Sequence, residues 1–470
     1  MWRNPACVSM LVCMVFLTGA CNTVPFQNKP LAHYTQQAGY RYTGIAPGDD
    51  NSDSLCVIVT FSGGGTRAAA FSFGVLEKLR DTEIVWEGKQ RRLLDEVDII
   101  SSVSGGSLPS AYYGLFGDRI FEDFPDKVLY RNIQGNIVTQ VLSPANWPKL
   151  VSPFYGRSDM IADDFSRKIF EDKTFADLLA RNQRPFIVIN ATDVSLGSRF
   201  DFTQRQFDLL YSDLASFPVG RAVAASAAFP GLLTPVTLRN YPKQEDYAAP
   251  AWVQAELENA SDFQLRHRQA LEAETYIKPG RPFIHLSDGG VSDNLGLLPV
   301  IQLLGGSFPG DNTDSTLLSG SIKKVVIITV NARRVSNVDW DTKAQVLGLF
   351  KVLGVGTSVP LGNFSEAEVA LTRLWVRQYT ETRRMRDRII QEYGEEAITQ
   401  HFPELAGPDV DYHFIEVDFD QVPDETERAY LNDIPTAFKL KREQVDRLRE
   451  AAAKILDSNA DYQQLLDGLE

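Results

Sequence analysis

Leu55-Cys56-Val57-Ile58-Val59-Thr60-Phe61 runs into Ser62-Gly63-Gly64-Gly65-Thr66-Arg67, and the pattern then repeats. The second unit is Val97-Asp98-Ile99-Ile100-Ser101 followed by Ser102-Val103-Ser104-Gly105-Gly106. Short runs of β-branched residues read as buried strands, and clusters of small residues after them mark turns. Beyond the first turn, Phe71, Val75 and Leu79 recur at helical spacing up to Arg80, and Ala68 and Leu76 widen the apolar face. Two strand-turn-helix units in succession predict an α/β fold with a mainly parallel sheet.

Outward from this stretch, the two loops fall where an open α/β sheet places its reactive groups, at the carboxyl ends of adjacent strands. Ser102, Ser104 and Gly106 resemble a nucleophile elbow, Gly-x-Ser-x-Gly, with serine in place of the first glycine. Such a turn holds its central serine in a strained conformation with the hydroxyl pointing outward, so Ser104 is the candidate nucleophile. The alternative is a turn serine that bonds its own backbone. Gly63, Gly64 and Gly65 can bring bare N–H groups up to a bound carbonyl, which makes them candidate oxyanion donors. The same three residues would also serve as a plain tight turn.

A third piece lies far downstream, where the strand-like Phe283-Ile284-His285-Leu286-Ser287 ends in Asp288-Gly289-Gly290. Gly-Gly-Gly-x-Arg, x-x-Ser-Gly-Gly and Asp-Gly-Gly, in this order and each after an expected strand, resemble the patatin-like phospholipase family. The likeness covers roughly Ser54 to Val330. It implies a three-layer αβα sandwich and a lipid acyl hydrolase that cleaves carboxylic esters of phospholipids or simpler lipids. It also implies a serine–aspartate dyad in which Asp288 acts directly on Ser104. Aspartate is a weak base in water, at about 3.9, so burial or neighbouring groups would have to raise it. Gly289 and Gly290 would let the two loops approach. Arg67 stands where the family has Arg or Lys, either to orient the glycine loop, to meet a phosphate, or as a structural arginine. Asn294 occupies a polar position after the acid and is expected to support it. Ala225-Ser226-Ala227-Ala228-Phe229-Pro230 resembles the family segment beside the catalytic loop, and it equally suits close helix packing through alanines. Ala68 and Ser62 depart from the family pattern by small steric changes.

Three rival readings have specific tests in the sequence. Gly63-x-Gly65-x-x-Ala68 matches a dinucleotide fingerprint, but the next strand ends in Ser101-Ser102 where an acid is required. A Ser104–Asp288–His413 triad fits the chain order of α/β-hydrolases. His413 lies in an alternating stretch, Tyr412 to Phe419, and His285 shares a strand with Asp288 three residues away, so neither sits on a glycine-rich loop. The last rival is a non-catalytic lipid-binding lipoprotein on a hydrolase frame.

Length and composition bound the rest. The chain has 470 residues, enough for a large core domain plus additions, with 44% hydrophobic and 23% charged residues. A formal charge of -14 excludes a basic nucleic-acid footprint and predicts no long-range attraction to anionic lipid. Residues 1–20 read as an export signal, with Arg3, an apolar Val8 to Leu17, and small residues before Cys21. This resembles a bacterial lipoprotein signal with Cys21 acylated, although Thr18 replaces the usual leucine; an ordinary cleaved signal or a buried helix are the alternatives. Asn22 is not acidic, so the expected place is the cell envelope, at the outer membrane facing the periplasm. Residues 21–53 are expected to be a lipidated tether, 54–335 the patatin-like domain, and 336–470 a mostly helical C-terminal extension. Of four cysteines only Cys56 stays in the body, so neither a disulfide framework nor a Cys/His metal cluster is expected, and no cofactor is implied.

Further strands are expected at Phe186 to Asn190, around Phe200 and Phe202, and at Lys324 to Val330. A helix is expected over Val219 to Phe229, and a closing amphipathic helix over Pro435 to Leu456. Tyr241 to Gly280 reads as an insertion over the rim, either a lid or a solvated excursion. Val346 to Val355 reads as a core helix in preference to an acyl channel or membrane contact. Ser365 to Gln400 carries charges at helical spacing and reads as solvated helix.

Overall fold

The computed structural model describes residues 26–258, 264–304, 321–333, 349–402, 405 and 409–469. In chain order its principal elements are β1 (Leu55–Phe61), α1 (Gly65–Arg80), β2 (Val97–Val103), α2 (Ser107–Phe116) and α3 (Arg157–Lys168). Then come β3 (Phe186–Asp193), β4 (Ser198–Asp201), α4 (Val219–Ser226), β5 (Val236–Arg239), α5 (Ala251–Glu258) and α6 (Gln264–Ile277). The last are β6 (Phe283–Asp288), β7 (Lys324–Asn331), α7 (Leu349–Tyr393), β8 (Asp411–Asp418) and α8 (Arg442–Ser458).

One eight-stranded sheet organises the chain, in the order β8-β7-β1-β2-β3-β6-β5, with β4 also paired to β3. From β8 to β3 neighbouring strands are parallel. β1, β3 and β7 are buried at every residue, which is why they read as unbroken apolar runs rather than alternating ones. Helices flank the sheet, with α1 packed against α8 and α4 against α3. Cys56 is a buried free thiol inside β1.

β6 departs from the parallel pattern, and the departure positions the site. It runs antiparallel to β3, with Leu286 opposite Asp193 and Asp288 opposite Ala191. The next residue of β3 is Asn190, which pairs with Val103 at the end of β2. An antiparallel strand thus delivers Asp288 to the level at which β2 turns into the Ser104 loop.

One sequence expectation needs correction. Residues 28–53 are not a free tether. Lys29–Pro30 pairs with Ser212–Asp213, the buried Asn28 amide donates to the Ser212 hydroxyl and the Arg239 carbonyl, and Arg41 forms an ion pair with Asp208. Tyr40 is buried and stacks on Phe186 at 4.6 Å between ring centroids. The C-terminal extension is integral to the fold, because β8 extends the main sheet along all of β7 and α8 covers α1. Residues 1–25, with Cys21, lie outside the described residues, as do the side chains of 346–355. Among the described residues no helix is long and apolar enough to cross a membrane.

Candidate active site

Ser104 follows β2 directly and has φ of +50°. The left-handed region is costly for a residue with a Cβ, by roughly 1–3 kcal/mol, and it persists only where the surroundings enforce it. Here the enforcing group is Ser226 at the end of α4. The Ser104 amide donates to Ser226 Oγ at 2.8 Å, and Ser226 Oγ donates to the Asn190 carbonyl at 2.6 Å. Ser226 thereby ties α4, β3 and the serine loop together. It lies in the alanine-rich segment, but its hydrogen bonds leave no trace in spacing or composition.

The serine hydroxyl donates to Asp288 Oδ2 at 2.9 Å. The other carboxylate oxygen, Oδ1, accepts the Gly290 amide at 2.8 Å. The Asp288 backbone is fixed as well, its N–H donating to the Ala228 carbonyl at 3.0 Å and its carbonyl accepting Thr192 Oγ1 at 2.8 Å. Ser104 is 5% exposed and Asp288 6%. Burial pushes the Asp288 carboxyl up to about 6, while the Gly290 amide and the Ser104 hydroxyl pull the other way. A carboxylate in this range can accept a proton at neutral pH and return it.

The glycine loop closes on the serine loop. A methyl group at Gly105 would lie 2.0 Å from the Gly65 carbonyl oxygen, so the two backbones touch and position 105 admits no side chain. Gly64 and Gly65 have φ of +142° and +61°, and α1 begins at Gly65. Among the described residues, neither the Gly64 nor the Gly65 amide donates to a protein acceptor. Two bare amides at a helix N-terminus suit a developing negative charge. Gly63 differs from the expectation, because its N–H donates to the Asn294 carbonyl at 3.0 Å and is not available to an oxyanion. Asn294 therefore joins the glycine loop to the segment after Asp288.

Arg67 is buried, and its Nη1 donates to the Ile434 carbonyl at 2.8 Å. Beside it, the Thr66 amide donates to the Ala437 carbonyl at 2.9 Å. Arg67 ties α1 to the chain just before α8. Gly106 and Gly289 sit in backbone contact with the Phe61–Ser62 and Asn190 peptides. Asp293, fully buried, accepts the Leu297 and Leu298 amides, and Glu368 of α7 lies beside it. Burial, then the neighbouring Asp293 charge, raises Glu368 to about 10.

His413 is not near the serine. It is the third residue of β8, opposite Val326 of β7, which pairs in turn with Val57 of β1. In parallel strands that position belongs to the end of the sheet opposite the Ser104 loop. His413 Nε2 meets Asp411 Oδ2 at 3.0 Å, and His285 Nδ1 meets Thr237 Oγ1 at 3.0 Å. The triad is overturned by this geometry. The insertion forms α5 and α6, which line a cavity of about 470 Å³ together with Val291 and Ser292, just past Gly290. Among the described residues no cluster of His, Cys, Asp and Glu could hold a metal ion.

The sequence model of a family described as patatin-like phospholipase matches residues 59–301. No curated protein matches the chain. Among solved structures, the chain is similar to human GIVD cytosolic phospholipase A2, at 11% identity and a TM-score of 0.42. That likeness covers 89% of this chain and 62% of the human one, so the chain spans less than two thirds of the human protein's length. It is also similar to VipD from Legionella pneumophila, at 11% identity and a TM-score of 0.30, over 89% of this chain and 67% of that one.

Proposed function

Because the chain belongs to the patatin-like phospholipase family, we propose that it hydrolyses carboxylic ester bonds of phospholipids or simpler lipids through Ser104 and Asp288. The observation that carries this reading is the 2.9 Å hydrogen bond from Ser104 Oγ to a buried carboxylate raised to about 6. In the first step Ser104 Oγ attacks the ester carbonyl carbon while its proton passes to Asp288 Oδ2. The negative charge that develops on the carbonyl oxygen meets the Gly64 and Gly65 amides. Collapse of the tetrahedral intermediate breaks the bond to the alcohol, which leaves with the proton from Asp288 and yields an acyl-serine. A water molecule then gives its proton to Asp288 and attacks the acyl carbon. Its collapse releases the fatty acid, and the proton returns to Ser104.

The lipid anchor belongs to the same proposal. Acylated Cys21 would hold the protein at the bacterial envelope, where its substrates are, and Cys21→Ser should release it from membranes or stall its processing. Purified protein assayed against short-chain esters and several phospholipid classes tests the activity. Turnover that vanishes in Ser104→Ala supports the reading. Undiminished turnover in Ser104→Ala, or none by the parent on any ester, overturns it and favours a lipid-binding role.

A further inference from the structure

One nearly uncharged stretch of this molecule exposes several large apolar side chains in close succession. Between residues 133 and 156 the chain forms the helix Ile133–Leu142, a turn at Pro144–Asn146 and the short helix Trp147–Leu150. This excursion exposes Leu142 (67%), Trp147 (44%), Val151 (59%) and Phe154 (60%). Single exposed hydrophobes are ordinary, whereas a run of large ones signals a surface that meets something else. The charge pattern narrows what that is. The chain carries a formal charge of -14, yet Lys149 is the sole charged residue from 133 to 156.

The excursion is tied to the active site. Where it ends, the Ser158 hydroxyl donates to the Thr234 carbonyl, and the Ser158 amide donates to Thr234 Oγ1 at 3.4 Å. Thr234 belongs to the turn after α4, which exposes Phe229 and Leu232 as well. The same turn supplies the Ala228 carbonyl that accepts the Asp288 amide at 3.0 Å. The apolar side chains therefore border the end of the sheet at which Ser104 sits.

We propose that these residues form an apron that docks the enzyme on a lipid–water interface, which rests on the hydrolase reading above. A surface without acids can enter the headgroup region without burying unpaired charge, and an exposed tryptophan suits that depth. With one lysine, the attachment is apolar rather than electrostatic.

The test uses the full chain carrying Cys21→Ser, so that no acyl anchor contributes, and phosphatidylcholine vesicles in a flotation assay that needs no turnover. The parent is expected to bind equally at low and high salt. Leu142→Ser, Val151→Ser and Phe154→Ser together should weaken binding about a thousandfold, at about tenfold per side chain. Hydrolysis of a water-soluble short ester should stay unchanged. Should the triple variant lose its circular dichroism melt, Phe154→Ser alone carries the test at about tenfold. A parent that does not float, a folded variant that floats as well as the parent, or binding abolished by high salt would overturn the proposal. So would a parent dimer that the substitutions split in light scattering. A parent that floats but cleaves no ester would leave the docking surface standing and remove the hydrolase reading.

Discussion

Two aspartates at opposite ends of one sheet each hold a partner of the kind hydrolases use, and their surroundings set them apart. Asp411 meets His413 at 3.0 Å and the Lys324 ammonium at 3.2 Å. These partners, His413 first, hold its carboxyl well below the usual range. Asp288 meets Ser104 and one backbone amide, with no cation contributing, and burial lifts it to about 6. A carboxylate locked in its charged form by cations is a poor proton acceptor, whereas a desolvated one is poised to take a proton. Under the proposed mechanism the base would be marked by the absence of a positive neighbour, and a nearby histidine would be no guide to it.

The widest separation between the two ends should appear in turnover. Ser104→Ala and Asp288→Asn should each lower kcat by roughly 10⁴- to 10⁶-fold, and the double variant should be no worse, because nucleophile and base act as a unit. Asp411→Asn and His413→Ala should leave kcat/KM on a soluble ester essentially unchanged. A folded His413→Ala variant that lost several orders of magnitude would break the contrast. Next comes the oxyanion loop, where Gly64→Val should cost roughly a hundred- to a thousandfold in kcat while the melting temperature shows a folded protein. Full activity in that variant would reduce the loop to a turn.

A smaller effect should show in the pH profile. Asp288 must be ionised to accept the serine proton, so kcat/KM should rise with pH and level off above about 6. An acid limb near 4, the ordinary carboxylate range, would mean that burial does not set the base. The smallest effects are on stability, and their signs oppose. The folded state raises the Asp288 value, so its ionisation destabilises the fold as pH rises from about 3.8 through about 6. Asp288→Asn should then stabilise at pH 8 by on the order of 1–3 kcal/mol, with the gain gone by about pH 4. The folded state lowers Asp411, so its contribution is present above the ordinary value and is lost as pH falls through the folded one. Solvent screens this partly exposed pair, so Asp411→Asn should cost less than about 1 kcal/mol at pH 8. Thermal melts of both variants at pH 4 and pH 8 check the signs.

How much of this was legible in the sequence depended on whether the signal was local. β1, β3 and β7 are strands rich in β-branched residues and buried on both faces, and their positions follow from those runs. Val236–Arg239 escaped because four alternating residues at a sheet edge resemble any loop. The segment 28–53 was misread as a tether because its order rests on Tyr40, Asn28 and Arg41 meeting residues more than a hundred positions away. At the site, Ser104 and Asp288 announce themselves by small residues after strands. The antiparallel entry of Asp288, the loss of the Gly63 amide to Asn294 and the Ser226 brace depend on backbone groups, which residue types do not report.

The contacts of Thr66 and Arg67 have a consequence in time. The glycine loop leans on the carbonyls of Ala437 and Ile434, the latter 367 residues further along the chain than Arg67. Chains emerge amino end first, at roughly 5–20 residues per second. For most of its synthesis the polypeptide thus holds its glycines without the buttress that fixes them, and the sheet without its last strand. On the proposed reading, ester cleavage would begin only once residues 434 to 437 have been delivered and folded against the glycine loop.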